Sequence, residues 1–150
     1  MITIKNSQRT YPIDTDRVRQ ETEQMLDYLR YQDFDLGIWF TTNRTIKKYN
    51  AQYREKNKAT DILSFPFYPE LTPGQKIIAH TPDEKNLGDL ILSPEYIAKT
   101  SHKWDRDFET HLTALLAHGI AHLLGHDHIE DHDFATMQKL ENKLIAAAGE

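Results

Sequence analysis

Residues Ala117–His128 read AHGIAHLLGHDH, and they hold four of the chain's eight histidines. His118, His122 and His128 follow one another at offsets of four and six. Leu112, Leu115, Leu116 and Leu123 recur at helical spacing around the first two, so the segment from about Asp107 to Leu124 reads as a helix that Gly125 stops. Residues four apart on a helix project from one face, with Cβ atoms about 5–6 Å apart. Imidazole nitrogens at His118 and His122 can then reach a single ion at about 2.0–2.1 Å each. The turn after Gly125 lets His128 fold back as a third ligand. Three neutral nitrogens with one corner open describe a catalytic zinc rather than a structural one, which normally takes four protein ligands. The chain has no cysteine, so thiolate sites and disulfides are excluded. Histidines with no shared partner on so apolar a helix would lose hydration with nothing to offset it. The metal reading is therefore preferred.

The same spacing matches the metzincin protease pattern H-E-x-x-H-x-x-G-x-x-H except at one position. The protease requires a glutamate after its first histidine as general base, and this chain has Gly119. A glycine inside a helix costs about 1 kcal/mol relative to alanine, so it should serve a purpose. The expectation is that it widens the space beside the metal and withholds the peptidase's carboxylate. A metzincin-like metallopeptidase is one reading of the spacing, and Gly119 opposes it.

Outward from this segment, Ile2 and Ile4 alternate with polar residues as a short first strand. Asp14 to about Tyr31 reads as a helix carrying Val18, Met25, Leu26 and Leu29. Phe34, Leu36, Ile38 and Phe40 alternate as a second strand, and Thr42 or Asn43 opens a short helix with Ile46 and Tyr49. Asp61–Phe67, DILSFPF, is apolar on both faces and reads as a central strand ending at Pro66. Residues 68–86 form one long loop. Leu87–Leu92 makes a fourth strand, and Ser93-Pro94 is a helix start with proline first. Asp131 or His132 begins the last helix, through Met137, Leu140, Leu144 and Ile145. Four strands mixed with helices describe a single layered domain over residues 1–150, of α+β or α/β class.

The net charge of −5 is unevenly spread. Arg44, Lys47, Lys48, Arg54, Lys56 and Lys58 stand in one short window with Glu55 as its only acid. Such a stretch is what a phosphate-contacting edge looks like, although a solvated helix face is the plainer account of it alone. The N-terminus shows no apolar run or cleavage site, and no segment approaches the roughly 18 apolar residues of a membrane span. A cytoplasmic protein that does not engage membranes is expected.

HGIAHLLGHDH resembles the H-G-x-x-H-L-x-G-x-D-H signature of the YbeY family of metal-dependent endoribonucleases. YNAQYREKNKATDILSFPF (Tyr49–Phe67) is similar to that family's second motif, and LGDLILS (Leu87–Ser93) to its third. The matches lie in family order and cover most of the chain from Tyr49 onward. The resemblance implies an α+β domain with a four-stranded mixed sheet and a zincin-like active-site helix. It implies a zinc-dependent, single-strand-specific endoribonuclease acting in 3′-end maturation of small-subunit ribosomal RNA and in ribosome quality control. Its partners would be ribosomal RNA, the small subunit and associated assembly proteins. His118, His122 and His128 fall on the family's metal ligands, and Arg54 falls on its functionally important arginine. His126 stands at a variable place and is assigned no ligand role.

A guanidinium at Arg54 would bind phosphate at two points and stabilise transition-state charge; a surface salt bridge is the alternative. No general base is evident. Asp127 either orients a ligand histidine or caps the turn, and Asp61 and Glu109 have no assigned place. A third reading is a non-catalytic ribosome assembly factor with structural zinc, for which His126 or His132 would supply a fourth ligand. Nickel, cobalt or manganese would also fit three nitrogens.

Overall fold

The computed structural model describes residues 1–149. Four strands, β1 (Ile2–Asn6), β2 (Asp35–Phe40), β3 (Ile62–Pro66) and β4 (Asn86–Leu92), form one sheet in the order β1-β2-β4-β3. β1, β2 and β4 run parallel, and β3 is antiparallel to β4. Parallel neighbours need a crossover between them. Helix α1 (Thr15–Leu29) supplies it for β1 and β2, starting at Asp14, whose side chain accepts from the Arg17 N–H at 3.0 Å. Helix α2 (Asn43–Arg54) follows β2, capped by the Thr42 hydroxyl. Helices α3 (Pro94–Thr100), α4 (Phe108–Leu123) and α5 (Asp131–Ala148) complete the α+β domain. The mixed sheet is as the family resemblance implies. Among the described residues, no helix is long and apolar enough to cross a membrane.

Strand alternation sorts the side chains into two layers. Ile2, Leu36, Ile38, Phe40, Leu90 and Leu92 face the main core, against Val18, Met25 and Leu26 of α1, Leu112, Leu116 and Ile120 of α4, and Leu144 of α5. The intervening positions Trp39, Leu63, Phe65 and Ile91 face the other way and meet Ile46 and Tyr49 of α2. The sheet thus separates α2 from α4. Ten of the sixteen residues of α4 are buried, as expected of a helix roofed by α5 and floored by the sheet.

Asp61–Phe67 is not a central strand, as its two-faced apolarity suggested. β3 lies at the edge of the sheet, paired only with β4. Its apolar residues report layers above and below it, not neighbours on both sides: Ile62 belongs to the main core, while Leu63 and Phe65 pack under α2. Pro66 ends it, as read from the sequence. The long loop is anchored at its middle, where buried Ile77 donates its N–H to the Tyr31 hydroxyl at 3.1 Å. A short 3₁₀ turn at Pro82–Glu84 leads it into β4.

Candidate metal centre

Helix α4 begins at Asp107, whose carboxylate accepts from the Thr110 N–H at 2.8 Å, and carries His118 and His122 in its last two turns. Its end is a Schellman turn: the Gly125 N–H donates to the His122 carbonyl at 3.0 Å, and the His126 N–H to the Ala121 carbonyl at 3.1 Å. Gly125 has φ +93°, and a Cβ there would collide with the Leu71 carbonyl of the long loop. Only glycine meets both demands. The reversal returns the chain so that nitrogens of His118, His122 and His128 all lie within 4.8 Å of one another. His118 and His122 are half-buried and His128 is exposed, which sets the group at the surface with its third member outermost.

The hydrogen bonds around the rings assign their tautomers. His118 Nδ1 lies 2.9 Å from Glu141 Oε1, and His122 Nδ1 lies 2.9 Å from the His126 carbonyl oxygen. Both partners are acceptors, so each Nδ1 carries the hydrogen and each neutral ring presents a lone pair at Nε2. The two Nε2 atoms face one another at 3.1 Å. Two lone pairs at that separation repel unless a cation or proton lies between them, and that is the arrangement a metal ion resolves. Burial pushes the His122 imidazole down to about 4, with His118 beside it adding to the effect, so the ring is neutral and ready to ligate near pH 7. The donor set therefore fits a divalent metal.

Glu141 is the residue that sequence reasoning missed. It stands on α5 in the stripe formed by Met137, Leu140 and Leu144, and an acid on an otherwise apolar helix face was the available signal. Outer partners of this kind fix ring orientation and raise ligand basicity.

Contrary to the expectation from sequence, Gly119 does not widen the space beside the three histidines. It is buried under the helix, where a Cβ would stand 2.8 Å from both Ile62 Cδ1 and Leu90 Cδ2. The missing side chain lets α4 close down on the sheet, and the Ser64 hydroxyl reaches the Gly119 carbonyl at 3.4 Å. The peptidase's glutamate has no room here.

Asp127, Asp61 and Glu109 each have a protein partner. Asp127 caps the turn, accepting from the His128 N–H at 2.7 Å; it makes no hydrogen bond to the His122 ring, although its charge acts on that ring. Asp61 accepts from the Ile62 N–H at 2.7 Å, and Glu109 pairs with Arg17 at 3.5 Å. His126 is buried and His132 exposed, and neither joins the three-histidine group. Arg54, the last residue of α2, is exposed on the opposite face of the sheet from α4. It makes no hydrogen bond or ion pair with any described residue, so the salt-bridge alternative is not realised, and the structure does not join it to the histidines.

The solution structure of TM1509 from Thermotoga maritima shares the fold, with a TM-score of 0.63 over 99% of this chain and 89% of that one at 21% identity. Human Endoribonuclease YbeY is 36% identical over 148 residues, covering 99% of this chain and 88% of its own. The Endoribonuclease YbeY of Agrobacterium fabrum strain C58 is 35% identical over 134 residues, covering 89% and 74%. The family model described as Endoribonuclease YbeY matches residues 3–149, which extends the likeness to the first strand and helix. With the three-histidine helix end in place and the match running almost end to end, the chain belongs to the YbeY family.

Proposed function

We propose that this chain is a zinc-dependent endoribonuclease that cuts single-stranded RNA, with His118, His122 and His128 as metal ligands and Arg54 as a phosphate-binding residue. The observation that carries the reading is the facing pair of Nε2 atoms, locked from behind by Glu141 and the His126 carbonyl, in a chain whose relatives are endoribonucleases. Three imidazoles suit zinc among the available divalent ions. A cation held there supplies Lewis acidity toward a phosphodiester oxygen or water.

The chain's own residues do the rest. Three neutral ligands leave the cation's charge uncompensated, which favours an anionic phosphodiester over a peptide. Glu141 holds His118 in its ligating tautomer, and the Schellman turn does the same for His122 through the His126 carbonyl. Arg54, exposed and without a partner among the described residues, is available to fork onto a phosphate. The side chains of Arg44, Lys47 and Lys48 border an open depression on the outer face of α2 and add sequence-independent attraction for RNA.

The substrate we favour is ribosomal RNA, in 3′-end maturation of the small subunit and in ribosome quality control, with the small subunit and its assembly proteins as partners and the cytoplasm as the place of action. The metallopeptidase reading loses its footing at Gly119, where the structure has no space for a base. The structural-zinc reading lacks its fourth ligand among the described residues. The test is incubation of purified protein with precursor ribosomal RNA and, in parallel, a peptide library, each with and without chelator. RNA cleavage that the chelator stops and zinc restores, with peptides intact, is expected. Intact RNA, or cleavage indifferent to chelation, overturns the proposal.

A further inference from the structure

The sheet face turned away from α4 is only partly covered by α2. What remains is a recess of about 420 Å³ lined by Trp39, Tyr49, Tyr53, Phe65, Lys5 and Asp89, among others. Its rings are preset. Trp39 meets Tyr49 edge-on at 5.7 Å, Tyr49 stacks with Tyr53 at 6.1 Å, and Phe65 meets Tyr53 edge-on at 5.2 Å. Trp39 donates its indole N–H to the Ser7 hydroxyl at 2.8 Å, and Lys5 Nζ stands 4.7 Å from its ring centroid. A small secondary core would account for aromatic packing alone. It does not account for Tyr53 being 58% exposed, or for an exposed carboxylate lining the same recess as the rings.

That carboxylate is Asp89, cross-strand from Phe65 on one side and Gly37 on the other. A Cβ at Gly37 would collide with Asp89 Oδ1, so the side chain lies back over the sheet. It makes no hydrogen bond or ion pair with any described residue. An acceptor-only group amid open aromatic faces is complementary to a flat ligand with paired N–H donors. Among nucleobases, guanine alone presents two adjacent donors, N1–H and the exocyclic amine, to a single carboxylate. Adenine, cytosine and uracil each set an acceptor beside their donor.

The charge nearby completes the complementarity. Tyr49 and Tyr53 occupy the sheet-facing stripe of α2, and Arg44, Lys47 and Lys48 occupy its outer stripe. One helix thus carries base-stacking rings and phosphate-attracting cations side by side. β3 joins this face to the metal centre: Phe65 belongs to the recess, and the preceding residue, Ser64, reaches Gly119 between two metal ligands.

We propose that this recess binds one guanine base of single-stranded RNA, stacked on the aromatic rings with Asp89 accepting from its paired N–H donors, while the α2 cations hold the flanking phosphates. The proposal rests on the endoribonuclease reading for its choice of ligand. It adds a base preference that a metal centre alone does not supply.

The chain has two tryptophans, so Trp104→Phe leaves Trp39 as the sole reporter. Nonamers of 2′-O-methyl uridine, unbroken or with one central guanosine, adenosine or cytidine, are titrated into this protein while its emission and the anisotropy of an end label are followed. Quenching of Trp39 and binding at least about fivefold tighter for the guanosine strand are expected. Asp89→Asn should bring the four strands within about twofold of one another, and Tyr53→Ala, at an exposed position, should weaken all of them by about fivefold or more. Binding seen by anisotropy without change in Trp39 emission, or a guanosine preference that survives Asp89→Asn, overturns the proposal. RNA cleavage by the unaltered chain is assayed beside it. Cleavage without base preference sinks the recess and spares the nuclease, whereas guanosine-selective binding without cleavage does the reverse.

Discussion

His118 Nδ1 and Glu141 Oε1 meet at 2.9 Å, tying helix α4, which carries two of the clustered histidines, to helix α5. The contact sets the ring so that its other nitrogen faces His122. If Glu141 positions a metal ligand, Glu141→Ala should lower metal affinity by about 10–100-fold while the fold persists. Glu141→Gln, which keeps an acceptor without the charge, should fall between. Competition with a chromophoric chelator measures the affinities, and circular dichroism checks the fold. Unchanged affinity in Glu141→Ala would reduce the pair to a helix staple.

His118→Ala removes one of the three proposed ligands and should abolish tight metal binding and RNA cleavage together. Elemental analysis after dialysis and a cleavage assay on the same preparation decide it. Full metal content with normal turnover in that variant would refute the ligand assignment.

Much of this centre was legible because helix periodicity is a local rule. His118 and His122 had to share a face, and Gly125 had to end the helix before His128. Glu141 was not legible as a partner: its contact spans 23 residues and depends on how α5 lies across α4. Gly119 was legible as an anomaly but not as a packing device, because the atoms it makes room for belong to β3 and β4. The apolarity of β3 points to a central strand for a related reason. Side-chain polarity reports what lies above and below a strand, whereas its place in the sheet is set by backbone pairing, which leaves little trace in composition. Asp89 and Trp39 are not legible as neighbours, because single residues on alternating strands become a recess only once the register is fixed.

Acid should destabilise the metal-free protein through His122. Its ring sits at about 4 in the fold, against 6.5 when unfolded, so the unfolded chain binds more protons between those values. The stability it confers is complete above about pH 6.5, declines as pH falls and is gone near pH 4, for a total on the order of 3 kcal/mol. Buried His111 and His126 are shifted downward by burial and act in the same direction. Denaturant midpoints of chelated protein between pH 8 and 4.5 should show the decline, and His122→Gln should flatten part of it. An identical slope in the variant would remove His122 from the account.

Gly119 should resist even the smallest side chain. Alanine at a solvated helix position would stabilise by about 1 kcal/mol. Here its methyl would stand 2.8 Å from Ile62 Cδ1 and Leu90 Cδ2, and overpacking of that kind costs about 1–3 kcal/mol. Gly119→Ala is therefore expected to be neutral to destabilising, and Ile62→Val in the same chain should recover part of any loss. Gly119→Glu, which restores the protease pattern, should disrupt packing of α4 without creating peptidase activity. A Gly119→Ala protein about 1 kcal/mol more stable than the parent would show that the helix does not need this close approach.

Arg54→Glu separates phosphate recognition from architecture. The side chain is exposed and free of described partners, so reversing its charge removes no internal contact, and the variant should fold and take up metal as the parent does. It lies within the basic window of α2 and the turn after it, where Lys47, Lys48, Lys56 and Lys58 supply further positive charge. If RNA is held there by its backbone, cleavage should fall by at least tenfold, since a charge-assisted fork is replaced by repulsion. The salt dependence of RNA binding should also become shallower, because fewer counterions are released on each encounter. Steady-state cleavage and binding at two or three salt concentrations test both expectations. Parental kinetics with an unaltered salt slope would place the RNA path elsewhere on the molecule, while a loss of cleavage at parental metal content would tie this edge of the sheet to the chemistry on its other face.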